Sequence, residues 1–281
     1  MSSSFRFGTV GSPKSTPKKP GGSVGAILHT CDLGLNALEL GWVNAVRVTE
    51  QTCRAIQAAG QERDVWISVH APYFINLNAD DEEWPKSRKR LMDAAHYGNL
   101  AGATDIIFHP GSYFGHPPEE VLPQAIRRLQ GCVDELRQAG NPVVLRPETM
   151  GKSAMLGSME DTLEMSRIPG VKPCLDFAHL HARPGDGSMN TYDEWSRVLE
   201  KYAKALGEAC LGELHVHLSG IEYGSKGEKN HLILEEADLD LTALFRALQA
   251  FGCGGRILCE SPAMEEDALK MKEAWAEINR R

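Results

Sequence analysis

The chain has 281 residues, a formal net charge of −8 and 42% hydrophobic residues. That length suits one large core, since α/β barrels reach about 250 residues as single units, and no run of about 20 apolar residues is present, so no membrane span is expected. The acidic balance argues against a non-specific nucleic-acid coat, although carboxylates turned toward bound cations would enter that total without repelling a phosphate. Residues 1–6 lack an apolar signal core, and the seven cysteines (31, 53, 132, 174, 210, 253 and 259) include no Cys-x-x-Cys pair. Both features point to a cytoplasmic protein with reduced thiols.

Taken in order, residues 5–10 predict a first strand. A basic Pro/Gly loop over 11–22 follows, with Lys14, Lys18 and Lys19. A small-residue helix over 23–33 leads to a second strand over 36–40. The helical apolar period of 49–59 stops at Gly60, and a third strand covers 65–70. Helices over 85–101, 119–139 and 159–167 separate strands over 105–109, 143–148 and 172–176. A helix over 192–206, a strand over 213–218, a helix over 240–251, a strand over 256–260 and a terminal helix over 265–280 complete the pattern. Strands alternate with helices eight times. Such alternation predicts a parallel sheet, and eight strands predict closure into a (β/α)8 TIM barrel, a single domain over 1–281. The runner-up is an open doubly wound sheet, disfavoured because no Gly-x-Gly-x-x-Gly turn follows the first strand.

The chemistry gathers where strands end. His70, His109, Glu148, Asp176, His217 and Glu260 stand at or near the carboxyl ends of strands three to eight, with His179 and His231 in the following loops. In a parallel barrel those ends share one mouth. A single histidine there is more often a satisfied structural residue, and a single Asp or Glu is often a helix cap. Eight such groups at one mouth are costly to bury unless paired or bound to cations. Imidazole with carboxylate suits zinc, with manganese or iron as alternatives. Asp176 and His179, three positions apart, fit one turn. His215 and His217 share a strand face, so one of them can be a ligand and the other a supporting or core histidine. His29, His96 and His116 read as surface or packing residues, and His181 stays open.

His70-Ala-Pro-Tyr73, Phe108-His109-Pro110-Gly111, Glu148-Thr-Met-Gly151, Leu175-Asp176-Phe-Ala-His179, His217-Leu and Cys259-Glu260-Ser261 together resemble the endonuclease IV family of zinc-dependent apurinic/apyrimidinic endonucleases. The resemblance runs from the third strand to the end and is nearest to the compact, archaeal-type branch. It implies a TIM barrel holding two or three Zn2+ ions, with Mn2+ as a substitute, and a monomer that incises DNA 5′ to abasic sites. On this resemblance Glu148 bridges two metals and is the catalytic carboxylate. His70 and His109 join it on one metal, and Asp176, His217 and Glu260 on the second. His179 and His231 serve the third, and Tyr73 lies near bound DNA.

Three positions depart from the family pattern. The Asp that usually stands two residues before the last histidine is Lys229 here, with Glu228 beside it as a substitute third-site ligand. If Glu228 does not serve, Lys226 or Lys229 would instead offer charge to a phosphate. Ser219-Gly220 replaces an Asn-Asp pair, and the loop after the second strand is short. A second reading takes Glu148, Asp176, His217 and Glu260 alone as the single-metal site of a sugar isomerase or epimerase. A third is a DNA-damage-binding barrel without turnover.

Overall fold

The computed structural model describes residues 4–280. The elements in chain order are β1 (Phe5–Val10), α1 (Gly22–Asp32), β2 (Ala37–Gly41), α2 (Glu50–Arg63), β3 (Trp66–His70), α3 (Trp84–Leu100), β4 (Asp105–Phe108), α4 (Pro118–Gln138), β5 (Val144–Pro147) and α5 (Met159–Met165). They continue with β6 (Cys174–Asp176), α6 (Phe177–Ala182), α7 (Tyr192–Leu206), β7 (Leu214–Leu218), β8 (Gly220–Gly224), β9 (Gly227–Leu232), α8 (Leu241–Ala250), β10 (Gly255–Cys259) and α9 (Glu265–Ile278).

Alternation along the strands builds two environments. Leu38 and Leu40 of β2, Ile67 and Val69 of β3, and Ile106 and Phe108 of β4 join the apolar layer under helices α1 to α4. Leu214, Val216 and Leu218 of β7 and Ile257 and Cys259 of β10 do the same under α7 to α9. The residues between them, Glu39, Ser68, Asp105, His215, His217 and Arg256, are therefore turned inward, as a period of two requires. Their contacts cross from one side of the sheet to the other. Asp105 of β4 pairs with Arg256 of β10 at 2.9 Å and also with Arg146 of β5.

Eight strands run parallel in the order β5-β4-β3-β2-β1-β10-β7-β6. The barrel predicted from the alternation is present. Its seam lies between β5 and β6, where bridges at Leu145–Val171 and Glu148–Cys174 replace a regular ladder. Pro173 explains the seam, because it has no N–H to donate. It also explains why β6 is three residues long where five were expected. Helix starts follow side-chain caps. Thr49 caps α2, and capping boxes at Ser158–Asp161 and Thr191–Glu194 open α5 and α7.

Three elements were absent from the sequence reading. The six-residue helix α6 follows β6 directly, with Asp176 as its N-cap. The antiparallel hairpin β8–β9 rises from the end of β7. The seven cysteines are in the thiol form, with no disulfide among them. No helix among the described residues is long and apolar enough to cross a membrane.

Candidate metal centre

The mouth is built on Glu148, which is fully buried one residue past β5. Its Oε2 lies 3.3 Å from Nε2 of His70 and 3.3 Å from Nε2 of His109. Its Oε1 lies 3.3 Å from Nδ1 of His217 and 3.4 Å from Nδ1 of His179. Each carboxylate oxygen therefore faces a different set of donors. His70 directs its other nitrogen, Nδ1, to the carbonyl oxygen of Ala71 at 2.9 Å. A proton held there leaves the Nε2 lone pair toward Glu148. His109 is stacked under Tyr73, with ring centroids 5.1 Å apart and planes 22° from parallel. Tyr73 itself is half exposed at the rim.

Three groups of donor atoms, each within 4.8 Å of one another, fill the mouth: His70, His109 and Glu148; Glu148, Asp176, His217 and Glu260; His179, Glu228 and His231. In the second, Nδ1 of His217 is 3.4 Å from Oε1 of Glu260. Asp176 uses Oδ1 to accept the His179 N–H at 2.7 Å, while its Oδ2 is buried with no hydrogen-bond partner. A buried carboxylate oxygen without a donor is an anion facing the cluster, and this is what a cation site requires. The donor set, imidazole nitrogens backed by carbonyls plus carboxylate oxygens, fits zinc or manganese.

The third group depends on a β-bulge. Glu228 and His231 are three apart, and in a regular strand they would face opposite ways. The β8–β9 pairing shifts between Glu222 and Tyr223: Tyr223 pairs with Glu228, but Glu222 pairs with Asn230. Lys229 is the extra residue. Lys229 and Asn230 both turn outward to Glu222, at 3.1 and 3.3 Å. Glu228 and His231 are both left on the cluster side. Nε2 of His179 is then 3.5 Å from Oε2 of Glu228 and 3.4 Å from Nε2 of His231. Ser219, at the residue where the family pattern has Asn, reaches Nδ1 of His231 at 3.2 Å. The hairpin is seated by the Glu228 N–H on the carbonyl of Gly151 at 3.0 Å. Gly227, at φ +92°, provides the left-handed turn beside it.

The electrostatics follow from five buried or half-buried carboxylates beneath and around the imidazoles. Burial alone would raise the Glu148 carboxyl, but His217, His109 and His179 outweigh it and hold it well below the usual range. For Asp176 burial prevails and pushes the carboxyl up to about 6. Burial opposes charge on His179, yet Asp176 and Glu148 lift it to about 10. His217 is likewise raised well above its ordinary value against burial, by Cys174, Glu39 and Glu260. A field that stabilises imidazolium this strongly also favours divalent cations at the same place.

Residues 29–279 match the family described as xylose isomerase-like TIM barrel. The chain belongs to that family. An uncharacterised protein of Methanocaldococcus jannaschii is 35% identical over 273 residues, 97% of each chain. The endonuclease 4 of Thermus thermophilus is 29% identical over 217 residues, 74% of each chain. A solved D-tagatose 3-epimerase-like protein superposes with a TM-score of 0.71 at 19% identity, covering 98% of this chain and 97% of that one. This last likeness concerns the fold alone. The relatives by sequence thus include a name from nucleic-acid chemistry and the neighbours by fold one from sugar chemistry, and the barrel does not choose between them.

All eight histidines and carboxylates read from the strand ends and their loops meet in this one mouth, and Glu228 joins them. Lys229 does not: its ammonium is on the outer face of the hairpin with Glu222. Lys226 is exposed at the hairpin turn. His181 is a clamp, with Nδ1 2.7 Å from the Met189 carbonyl and Nε2 2.9 Å from Asp238. His116 is an exposed surface residue, as read. Glu39 was missed. It lies below the mouth, where its oxygens meet Ser68 at 2.7 Å, His215 at 2.9 Å and His217 at 3.0 Å. The signal was present, since an acid between Leu38 and Leu40 in an apolar strand must face inward if the outer face is covered.

Proposed function

We propose that the protein is a metal-dependent hydrolase of DNA phosphodiesters, incising 5′ to apurinic/apyrimidinic sites as endonuclease IV does. The observation that carries this reading is the third group, His179, Glu228 and His231, together with His70 and His109. A one-metal sugar site would leave these five residues without a role. The similarity to the endonuclease 4 of Thermus thermophilus supports it at the level of sequence.

His70, His109 and Glu148, then Glu148, Asp176, His217 and Glu260, then His179, Glu228 and His231 would hold two or three zinc or manganese ions. When bound, such ions supply Lewis acidity toward a phosphate and make water a stronger acid than in bulk. Glu148 orients the attacking water, since both its oxygens already point at the shared centre. Attack at phosphorus proceeds in line, the bond to the 3′ oxygen breaks, and the proton released by water ends on that oxygen to give a 3′-hydroxyl. Tyr73, stacked over His109 at the rim, offers a ring face to the sugar or neighbouring base. Lys226 adds positive charge near the strand, and Lys229 contributes only to the field of the hairpin's outer side. The unpaired abasic sugar costs little to extrude, which favours damaged over intact DNA. A cytoplasmic monomer of one domain fits this reading.

The test is incision of a duplex carrying one synthetic abasic site by protein stripped of metal and reloaded with zinc or manganese. Cutting on the 5′ side is expected, and Glu148→Gln should reduce turnover by orders of magnitude while the fold is kept. Near-normal turnover in that variant would remove Glu148 from the chemistry.

A second reading rests on a specific observation. Glu148, Asp176, His217 and Glu260 close as a four-donor set on their own, under a cavity of about 380 Å³ that suits a small sugar. Two carboxylates beside a polarised carbonyl can take a proton from the adjacent carbon and return it to the neighbouring carbon, as in an isomerase, or to the opposite face of the same carbon, as in an epimerase. Metal content separates the readings. One ion per chain and no cutting of abasic DNA would favour the sugar chemistry and a screen of small ketoses.

A further inference from the structure

We propose that Glu39 is a positioning residue for the metal centre, setting from below which nitrogen of His217 faces the cluster. A neutral imidazole ring has one N–H donor and one lone pair, and the partner of one nitrogen decides the role of the other. Nδ1 of His217 points at Glu148 and Glu260, 3.3 and 3.4 Å away. For Nδ1 to offer a lone pair there, the proton must sit on Nε2. Nε2 is 3.0 Å from Oε1 of Glu39. The approach is off the line of a full hydrogen bond, and neither atom has another hydrogen-bond partner. Glu39 is thus the group placed to receive that proton.

Glu39 is itself fixed. Its Oε2 accepts the Ser68 hydroxyl at 2.7 Å from β3 and Nε2–H of His215 at 2.9 Å from β7. The carboxylate is completely buried, so water cannot replace these partners. It lies on the side of the His217 ring opposite the cluster, which rules it out as a ligand of the same ion. A carboxylate in this place holds the ring's orientation and raises the basicity of the far nitrogen. Three strands therefore converge to aim one ligand of the Glu148, Asp176, His217 and Glu260 group.

This inference rests on the reading that the cluster binds metal, and it does not depend on what the enzyme cuts. The experiment counts zinc retained per chain against a graded series of chelator concentrations, for wild type and Glu39→Gln, beside thermal melting of both metal-free proteins. Glu39→Gln keeps the shape and removes the charge. The expected result is one ion released at about 10- to 100-fold lower chelator concentration, with the remaining ions retained as in wild type. Cobalt-loaded protein should show the change in its visible spectrum at that one site. Coincident retention curves would overturn the proposal. So would uniform weakening of all ions in step with a lower metal-free melting point, which is the mark of a purely structural role. If Glu39→Gln fails to fold, Ser68→Ala carries the test: it keeps the charge, frees one oxygen, and should give a smaller loss at the same ion. A wild-type protein that binds neither zinc nor manganese would overturn this inference and the metal-dependent function together. Tight zinc binding without cutting of abasic DNA would overturn only the proposed substrate.

Discussion

Gly151→Ala probes how closely the hairpin must approach the mouth. A methyl group at Gly151 would lie 2.7 Å from Cβ of Glu228, 2.9 Å from its Oε2 and 3.0 Å from Cδ2 of His179. The nearest of these is at the root of the side chain, so a rotamer change cannot relieve it. The hairpin has to move out by roughly 0.5–1 Å to restore contact distances. Metal-ligand distances tolerate only about 0.2 Å. The shift therefore dislodges Glu228 from His179 and His231 while the first two groups, anchored on strands, are untouched. Overpacking of this size costs about 1–3 kcal/mol, which leaves the barrel folded. The expected outcome is loss of one ion per chain, by at least about 10-fold in affinity, with incision reduced accordingly. Atomic emission after dialysis against a weak chelator reads the first effect, and the abasic duplex reads the second. A variant with the full metal content and wild-type cutting would refute the claim that close packing of Gly151 against the hairpin sets this group.

Lys229→Ala should leave metal content unchanged, because the ammonium faces Glu222 outside the mouth. Deleting Lys229 should likewise keep the ion, because Glu228 and His231 then stand two apart in a regular strand and share a face, whereas inserting one residue between Glu222 and Tyr223 removes the bulge with Lys229 in place and should lose one ion, because three apart they face opposite ways; full metal content in the insertion variant would contradict the bulge argument. Asp105→Asn should destabilise the protein by about 3–5 kcal/mol near neutral pH, because Arg146 and Arg256 would lose their buried partner. The pH profile should change as well. Burial pushes the Asp105 carboxyl up, but Arg146 and then Arg256 outweigh it and hold it far below the carboxylate range. In wild type the unfolded chain takes up this proton near pH 4 while the folded chain does not. That stability is fully present above about pH 4 and is lost as pH falls toward the folded value, so the variant's melting temperature should decline less steeply below about pH 4. A parallel decline would sink the assignment. Ser158→Ala removes the hydroxyl that accepts the Asp161 N–H at 3.1 Å and should cost about 1 kcal/mol in urea unfolding, without altering bound metal.

What the sequence determined by itself was the part governed by local period and local chemistry. Alternation in segments such as Ser68-Val69-His70 and Leu214-His215-Val216-His217 specifies strands with one apolar and one polar face. The glycine stops and Ser or Thr caps mark the helices, and eight repeats of the unit leave the barrel as the economical closure. A histidine or carboxylate at successive strand ends then has to meet its counterparts, because parallel strands bring those ends to one rim. Only tertiary structure decided the rest. Glu39 is an inward residue only because the barrel closes around it, and its partners Ser68, His215 and His217 come from strands far away in sequence. The role of Glu228 turns on a single extra residue in β9, a bulge set by cross-strand hydrogen bonding with β8 and by the seat on Gly151. Nothing local to Gly227-Glu228-Lys229-Asn230-His231 encodes which neighbours that hydrogen bonding will join. A shift of one position exchanges the faces of a strand, so spacing alone could name the candidates but not show which of them pointed into the mouth.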